Sequence, residues 1–207
     1  MVLSVNLADV REIEWRGKQV RTGIWKLPAG GPVQATALGL EGDVQADRRV
    51  HGGVDMAIYA YAREDVEWWE GELGRELEFG VFGQNLDTRG VDVSGALVGE
   101  RWSVGETLCE VSAPRIPCFK LGRRMDDPRF LKRFAQARRP GAYLRVIEPG
   151  LIAAGDAIAV VERPDHDVSV RLVAEALEHD RSLAPRLLAA QALPAKVRAW
   201  AEEVAAA

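Results

Sequence analysis

The sequence predicts a mixed α+β protein, built on a β-barrel-like domain with peripheral helices and a small three-helix domain at its C-terminus. Three observations lead there. Short alternating segments separated by glycine turns fill the first two-thirds of the chain. Two amphipathic stretches interrupt them. After Pro164 the strand patterns stop, and the tail becomes rich in Ala, Leu and Arg. Many short strands with regular turn signals suggest a closed or nearly closed barrel.

The strand candidates are Ala57-Ile58-Tyr59-Ala60-Tyr61, Thr107-Leu108-Cys109-Glu110-Val111, Ala142 to Ile147 and Ala157 to Val161. In the second, Thr107, Cys109 and Val111 share one face and Leu108 and Glu110 the other, as a period of two requires. Pro149-Gly150 and Gly155-Asp156 mark turns. The first helix is expected from about Arg63 to Leu77. Glu64 and Asp65 suit its positive N-terminal end, and Val66, Trp69 and Leu73 fall on one face. The second is expected from Pro128, capped by Asp127, with Phe130, Leu131 and Phe134 inward. In the tail, Ser169 can cap a helix that turns Leu172, Val173, Ala176 and Leu177 inward. Another helix follows near 183–191, and a third begins at Pro194. The expected boundary divides residues 1–164 from 165–207.

The 207 residues, 47% hydrophobic, are enough for one good core with a small appendage. A charged fraction of 28% and a formal charge of −4 do not describe a nucleic-acid binder. The tail has seven acids against five bases, which argues against a DNA-reading helical module. Polar residues soon follow Met1–Leu3, so no signal-peptide core forms, and no apolar run approaches the roughly 18–20 residues of a membrane span. The expected location is the cytoplasm. There Cys109 and Cys118, the two cysteines of the chain, are expected as thiols. The three histidines, His51, His166 and His179, are scattered, which excludes a paired structural zinc site.

Cys118 is the residue whose surroundings point to chemistry. Pro114 and Pro117 stiffen the approach to it, and Arg115 and Lys120 flank it. Neighbouring cations favour thiolate, which is both a nucleophile and a soft-metal ligand. Cys109 lies mid-strand on an apolar face and reads as a small hydrophobe. From Arg115 to Arg145 there are ten basic residues against two acids, Asp126 and Asp127. Part of this is a helix face in solvent (Arg129, Lys132, Arg133). The remainder suggests an anion site around Cys118, since guanidinium groups bind phosphate through paired hydrogen bonds. Two polar glycine-bearing segments, residues 40–55 and Phe82 to Leu86, are either surface turns or places where backbone approaches a ligand. There is no Walker loop, dinucleotide fingerprint or serine nucleophile elbow.

In order along the chain, Glu41-Gly42-Asp43, Asp47-Arg48, Val50-His51-Gly52-Gly53, Phe82-Gly83-Gln84-Asn85-Leu86, Pro117-Cys118-Phe119-Lys120-Leu121 and Tyr143-Leu144-Arg145-Val146 resemble the MOSC family, named for the C-terminal domain of molybdenum cofactor sulfurases. Arg11 to Trp15 and the helical tail resemble a bacterial subgroup linked to detoxifying N-hydroxylated base analogues such as 6-hydroxylaminopurine. The resemblance implies a barrel-like fold with peripheral helices and a molybdenum–molybdopterin cofactor whose metal is ligated at the position of Cys118. It implies basic and polar residues around the cofactor phosphate; the matching positions are Arg115, Lys120, His51, Asn85 and Arg145. His51 and Asp55 would handle protons beside Cys118. Electrons would come from a separate flavoprotein or iron–sulfur protein, since two cysteines cannot hold a cluster. Two other readings stand beside reduction: a sulfur carrier with a persulfide on Cys118, its sulfur made elsewhere because the chain has no pyridoxal-phosphate domain, and a cofactor-binding module without catalysis. The chain departs from the family at Val54 (usually Pro), Met56 (usually Lys) and Gln84 (usually Glu). The second removes a cation and the third a charge and a proton donor.

Overall fold

A computed structural model describes residues 1–46 and 52–207. Its strands among the described residues are β1 (Val2–Leu7), β2 (Arg11–Trp15), β3 (Lys18–Thr22), β4 (Leu27–Pro28), β5 (Val33–Thr36), β6 (Gly39–Leu40), β7 (Ile58–Ala62), β8 (Leu86–Thr88), β9 (Arg101–Val104), β10 (Thr107–Pro114), β11 (Ala142–Glu148), β12 (Gly150–Ile152) and β13 (Ile158–Glu162). The helices are α1 (Arg63–Leu73), α2 (Phe119–Met125), α3 (Phe130–Ala137), α4 (Val170–Glu178), α5 (Ala184–Leu187) and α6 (Ala195–Ala205).

Eight strands form one sheet in the order β13-β9-β10-β11-β7-β8-β1-β4. Its pairs are antiparallel except β7 with β8, which α1 connects. β12, β5 and β6 form a second sheet, and β2 and β3 a separate ribbon. The large sheet is barrel-like but open. β13 and β4 are its edges, and no ladder joins them. Val2 N–H donates to Asp156 (2.8 Å) and Gly155 N–H donates to Val2 (2.9 Å), so β1 meets the turn before β13 at one corner only.

Alternation along β7 divides the interior. Ile58, Ala60 and Ala62 enter the barrel core with Val111, Leu144 and Trp102. Tyr59 and Tyr61 point the other way, into an aromatic cluster with Trp69, Phe82, Phe130 and Phe134. Both faces of β7 are therefore buried. Trp69 and Phe82 bring α1 and the turn before β8 against α3, with ring pairs at 4.9–6.1 Å. Such pairs add about 0.5–1.5 kcal/mol each beyond area burial.

The first helix ends earlier than its apolar spacing suggests, because Gly74 adopts a left-handed conformation and its N–H returns to Glu70. α3 begins two residues after Pro128. Asp127 still caps the turn, its side chain accepting from Arg129 N–H at 2.9 Å. Ser169 caps α4, accepting from Leu172 N–H at 3.1 Å. The tail helices surround an apolar cluster that includes Val173, Leu187, Leu193 and Ala201, and Val98 joins it from the sheet side. No helix among the described residues is long and apolar enough to cross a membrane.

Candidate functional site

Three chain segments converge beside Cys118. β10 ends at Pro114, and Arg115 to Cys118 lead into α2, with Cys118 extended at its N-cap (φ −128°, ψ 168°). Thr22 to Lys26 leave the β2–β3 ribbon, and Asp43 to Ala46 run alongside. The resulting cleft has about 640 Å³ of empty space, counted out to its open mouth. Its lining includes Cys118, Arg115, Lys120, Lys26, Asp43 and Asn85. Tyr59, Tyr143, Gly23 and Gly83 complete much of the wall.

Two glycines make the close packing possible. A Cβ on Gly23 would lie 2.4 Å from the Val44 carbonyl oxygen. Gly83 has φ +79°, and a Cβ there would lie 2.8 Å from Ile24 Cγ1 and 3.5 Å from an Arg115 guanidinium nitrogen.

Charge in the cleft is predominantly positive. Lys26, Arg115 and Lys120 face a single carboxylate, Asp43, among the described lining residues. Asp43 is a hub. It accepts from Lys26 Nζ at 2.5 Å, from Asn85 Nδ2 at 2.8 Å and from Ala8 N–H at 2.9 Å. Burial pushes the Lys26 pKa down and Arg115 adds to this, while Asp43 partly restores it. Arg115 is buried with its guanidinium 5.2 Å from the Tyr59 ring centre. Burial opposes its charge, but Tyr143, Tyr59 and Cys118 favour it, and the balance raises its pKa. Its Nε is buried without a hydrogen-bond partner among the described residues. A native interior rarely leaves such a donor unmatched, so this one suits an anion entering the cleft.

Of the residues expected at the site, Cys118, Arg115, Lys120 and Asn85 line one cleft. Asn85 is fully engaged there: Nδ2 donates to Asp43 and to Asn6 O (3.2 Å), and Oδ1 accepts from Tyr59 N–H (3.1 Å). Its amide fixes the wall and has no spare donor for a ligand. Asp55 and Arg145 lie elsewhere. Arg145 binds Asp55 at 2.6 Å and Glu110 at 2.7 Å, and neither Arg145 nor Asp55 lines the cleft. Alternation along β11 puts Arg145 on the same face as Tyr143, which does line the cleft; two residues further on, Arg145 is held by Asp55 and Glu110 instead. His51 lies outside the described residues. The basic run itself disperses, with Arg138 on Glu175, Arg139 on Asp65 and Arg133 near Asp127. Cys109 is fully buried in the barrel core, where burial pushes its thiol up to about 12.

Lys26 and the role of Asp43 are not apparent from the sequence reading. Their signals are modest: an aspartate inside Glu41-Gly42-Asp43, and a lysine two residues beyond the Gly23-Ile24 pair that contacts the cleft. The Gln84 departure has a local explanation. Its Oε1 accepts from Phe82 N–H at 2.9 Å, and Nε2 donates to Asp87 at 2.7 Å. A glutamate would set a second carboxylate against Asp87, which burial already pushes toward the protonated form. Met56 lines the cleft as an apolar surface where the family commonly has lysine.

The fold, the cleft and the ordered motifs agree with one family. The chain matches the MOSC domain over residues 47–159, and it belongs to that family. It is 34% identical to YflK of Bacillus subtilis (strain 168) over 86% of this chain and 81% of that protein. Against YiiM of Escherichia coli (strain K12) it is 36% identical over 83% and 79%. A protein named reductase from Gibberella moniliformis is 36% identical over 72% of this chain but only 27% of its own length. The crystal structure of YiiM from Geobacillus stearothermophilus superposes with a TM-score of 0.81 at 28% identity, covering 98% of this chain and 97% of that one.

Proposed function

We propose that the chain is a molybdenum-cofactor-dependent oxidoreductase that reduces N-hydroxylated substrates, among them hydroxylated base analogues. The observation that carries this reading is the cleft itself: one half-buried cysteine beside three cations, one of which has a buried, unmatched N–H. Family membership and the reductase named among the relatives support the redox class.

The donor set fits the group. Cys118 supplies the soft sulfur that molybdenum prefers. Arg115 and Lys120 would hold the pterin phosphate, and Gly23 and Gly83 let the loops around them pack closely into the cleft wall. When bound, the cofactor supplies a two-electron redox centre. The net reaction adds two electrons and two protons to an N–OH group, breaks the N–O bond and yields an amine and water. The electrons would come from a separate flavoprotein or iron–sulfur protein. This chain orients the substrate and fixes the electrostatics. Arg115 and Lys120 offset phosphate charge, and the Lys26–Asp43–Asn85 network holds the wall opposite.

The test uses protein made in a cofactor-competent host and a supplied electron source. Wild type is expected to contain molybdenum near one per chain and to reduce 6-hydroxylaminopurine. Cys118→Ser is expected to lose both while keeping its circular dichroism spectrum. A molybdenum-loaded, active Cys118→Ser protein would overturn the ligand assignment. A persulfide on Cys118 without molybdenum would favour sulfur transfer.

A further inference from the structure

The helix that begins at the cleft ends in a knot of like charges. Cys118 is the N-cap of α2, and Arg124 stands near its far end, about 9 Å along the axis. The Arg124 side chain is 16% exposed, and its Nε is buried without a hydrogen-bond partner among the described residues. Glu78 answers it at 3.6 Å. Burial pushes the Arg124 pKa down; Glu78 opposes this, but Arg11 and Arg75 add to it. Both of those arginines are exposed, and no carboxylate among the described residues pairs with either.

Arg11 ties this knot to the cleft. It stands directly across the β2–β3 ribbon from Thr22, a lining residue. Its guanidinium lies 5.9 Å from the ring centre of Trp25, which sits between lining residues Ile24 and Lys26. Alternation puts Arg11, Ile13 and Trp15 on one face of the ribbon and Glu12 and Glu14 on the other, where Glu12 is opposite Arg21. The ribbon's own acids are therefore not placed to neutralise Arg11. Trp15 stacks on Phe119 with ring centres 4.6 Å apart, which fixes the Arg11 face against the first turn of α2. The result is three arginines around one carboxylate, beside the cleft of a chain whose formal net charge is −4. Like charges held together in this way repel one another, and an acidic partner would relieve the repulsion.

We infer that Arg11, Arg75 and Arg124 form the docking face for the electron donor, a flavoprotein that presents carboxylates around its flavin. This rests on the reductase reading above. The donor must bring its redox group close to Cys118, and the length of α2 sets that approach. A flavin hydroquinone carries both electrons of one turnover, whereas a single iron–sulfur cluster of the ferredoxin kind carries one. On oxidation the hydroquinone releases two electrons and two protons. The electrons pass to the cleft, and two protons are taken up at the N–OH group, which yields amine and water. Encounters of this class bury little surface, less than about 1,200 Å², and opposite charge supplies their speed and orientation.

The experiment measures 6-hydroxylaminopurine reduction by cofactor-loaded wild type, Arg11→Glu/Arg75→Glu and Arg129→Glu/Lys132→Glu. The last pair changes net charge equally, at exposed bases of α3. Each protein is driven either by reduced flavodoxin, an acidic flavoprotein, or by dithionite, which needs no docking. At low salt Arg11→Glu/Arg75→Glu is expected to lower the flavodoxin-driven rate by about 10–100-fold and to leave the dithionite-driven rate unchanged. The wild-type flavodoxin rate should fall steeply with added salt, and the variant's should not. The α3 pair should behave as wild type. Equal losses with both reductants, or equal losses in both double variants, overturn the docking face. So does a wild type that works with dithionite but not with flavodoxin. Calorimetric titration of flavodoxin into the same proteins separates the two readings. If wild type reduces nothing with either reductant, yet binds flavodoxin at least 10-fold more tightly than Arg11→Glu/Arg75→Glu does, the reductase reading fails and the acidic-flavoprotein face stands. Equal binding by wild type and that variant overturns the face on its own.

Discussion

Replacing Asp43 by alanine is the sharpest test of how the cleft is held. The side chains of Asp43 and Lys26 are only 8% and 7% exposed, and they meet at 2.5 Å. Asp43→Ala strands the Lys26 ammonium and leaves Asn85 Nδ2 and Ala8 N–H each short of an acceptor. Removing one partner of a buried pair typically costs about 3–5 kcal/mol. Water can enter this open cleft, so the lower end applies, about 3 kcal/mol. For a chain of this size that corresponds to a fall in Tm of about 6–12 °C. Lys26→Met added to Asp43→Ala removes the stranded charge, and is expected to regain about half of the loss. Differential scanning calorimetry at pH 7 reads both. A shift below about 2 °C for Asp43→Ala would refute the hub, as would a double variant whose loss equals the sum of the singles.

Two further outcomes are expected. Arg115→Met removes a charged phosphate contact worth about 1.5–3 kcal/mol, so cofactor retained after dialysis should fall steeply. Unchanged cofactor content would contradict the phosphate role. The second concerns alkaline stability. The folded Cys109 thiol lies at about 12 against an ordinary 9.0, so its contribution is complete below pH 9 and is lost as pH rises from there toward 12. Lys26, whose folded pKa is lowered from 10.5, works in the opposite direction over that range, and the raised Tyr59 and Tyr61 act above pH 10. Comparing wild type with Cys109→Ala by urea unfolding cancels these shared effects: by pH 11 the wild type should have lost about 2.5 kcal/mol more than the variant, relative to pH 8. Parallel curves would show that Cys109 has no such linkage.

What could be read from the sequence follows from how local each signal is. The alternation of β10 lies within a few residues and placed Cys109 on the core face, and the apolar run at 57–61 marked β7 as a strand. The Ser169 cap and the apolar spacing after it likewise marked α4. Cys118, Arg115 and Lys120 were readable together because they are near neighbours in the chain. The β2–β3 ribbon was harder. Its turn puts Arg16, a poor left-handed residue, where asparagine or aspartate would have announced the hairpin. α2 spans only seven residues and begins directly after the cysteine, too short for a helical period to emerge. The Asp55–Arg145 contact joins residues 90 apart and depends on β11 facing one way, which a motif cannot specify. The Lys26–Asp43 pair, 17 apart, depends on two loops meeting.

The Gly23–Val44 approach has a consequence for any attempt to change what the cleft admits. On that side the clearance is set by main chain against main chain, with no room for even a methyl group between them. Trimming neighbouring side chains will not widen it, and enlarging residue 23 would push the segment at Val44, and with it the adjacent Asp43, away from Lys26. Selection for bulkier substrates therefore has to act on other lining residues, such as Met56, whose side chain can be exchanged without moving a strand.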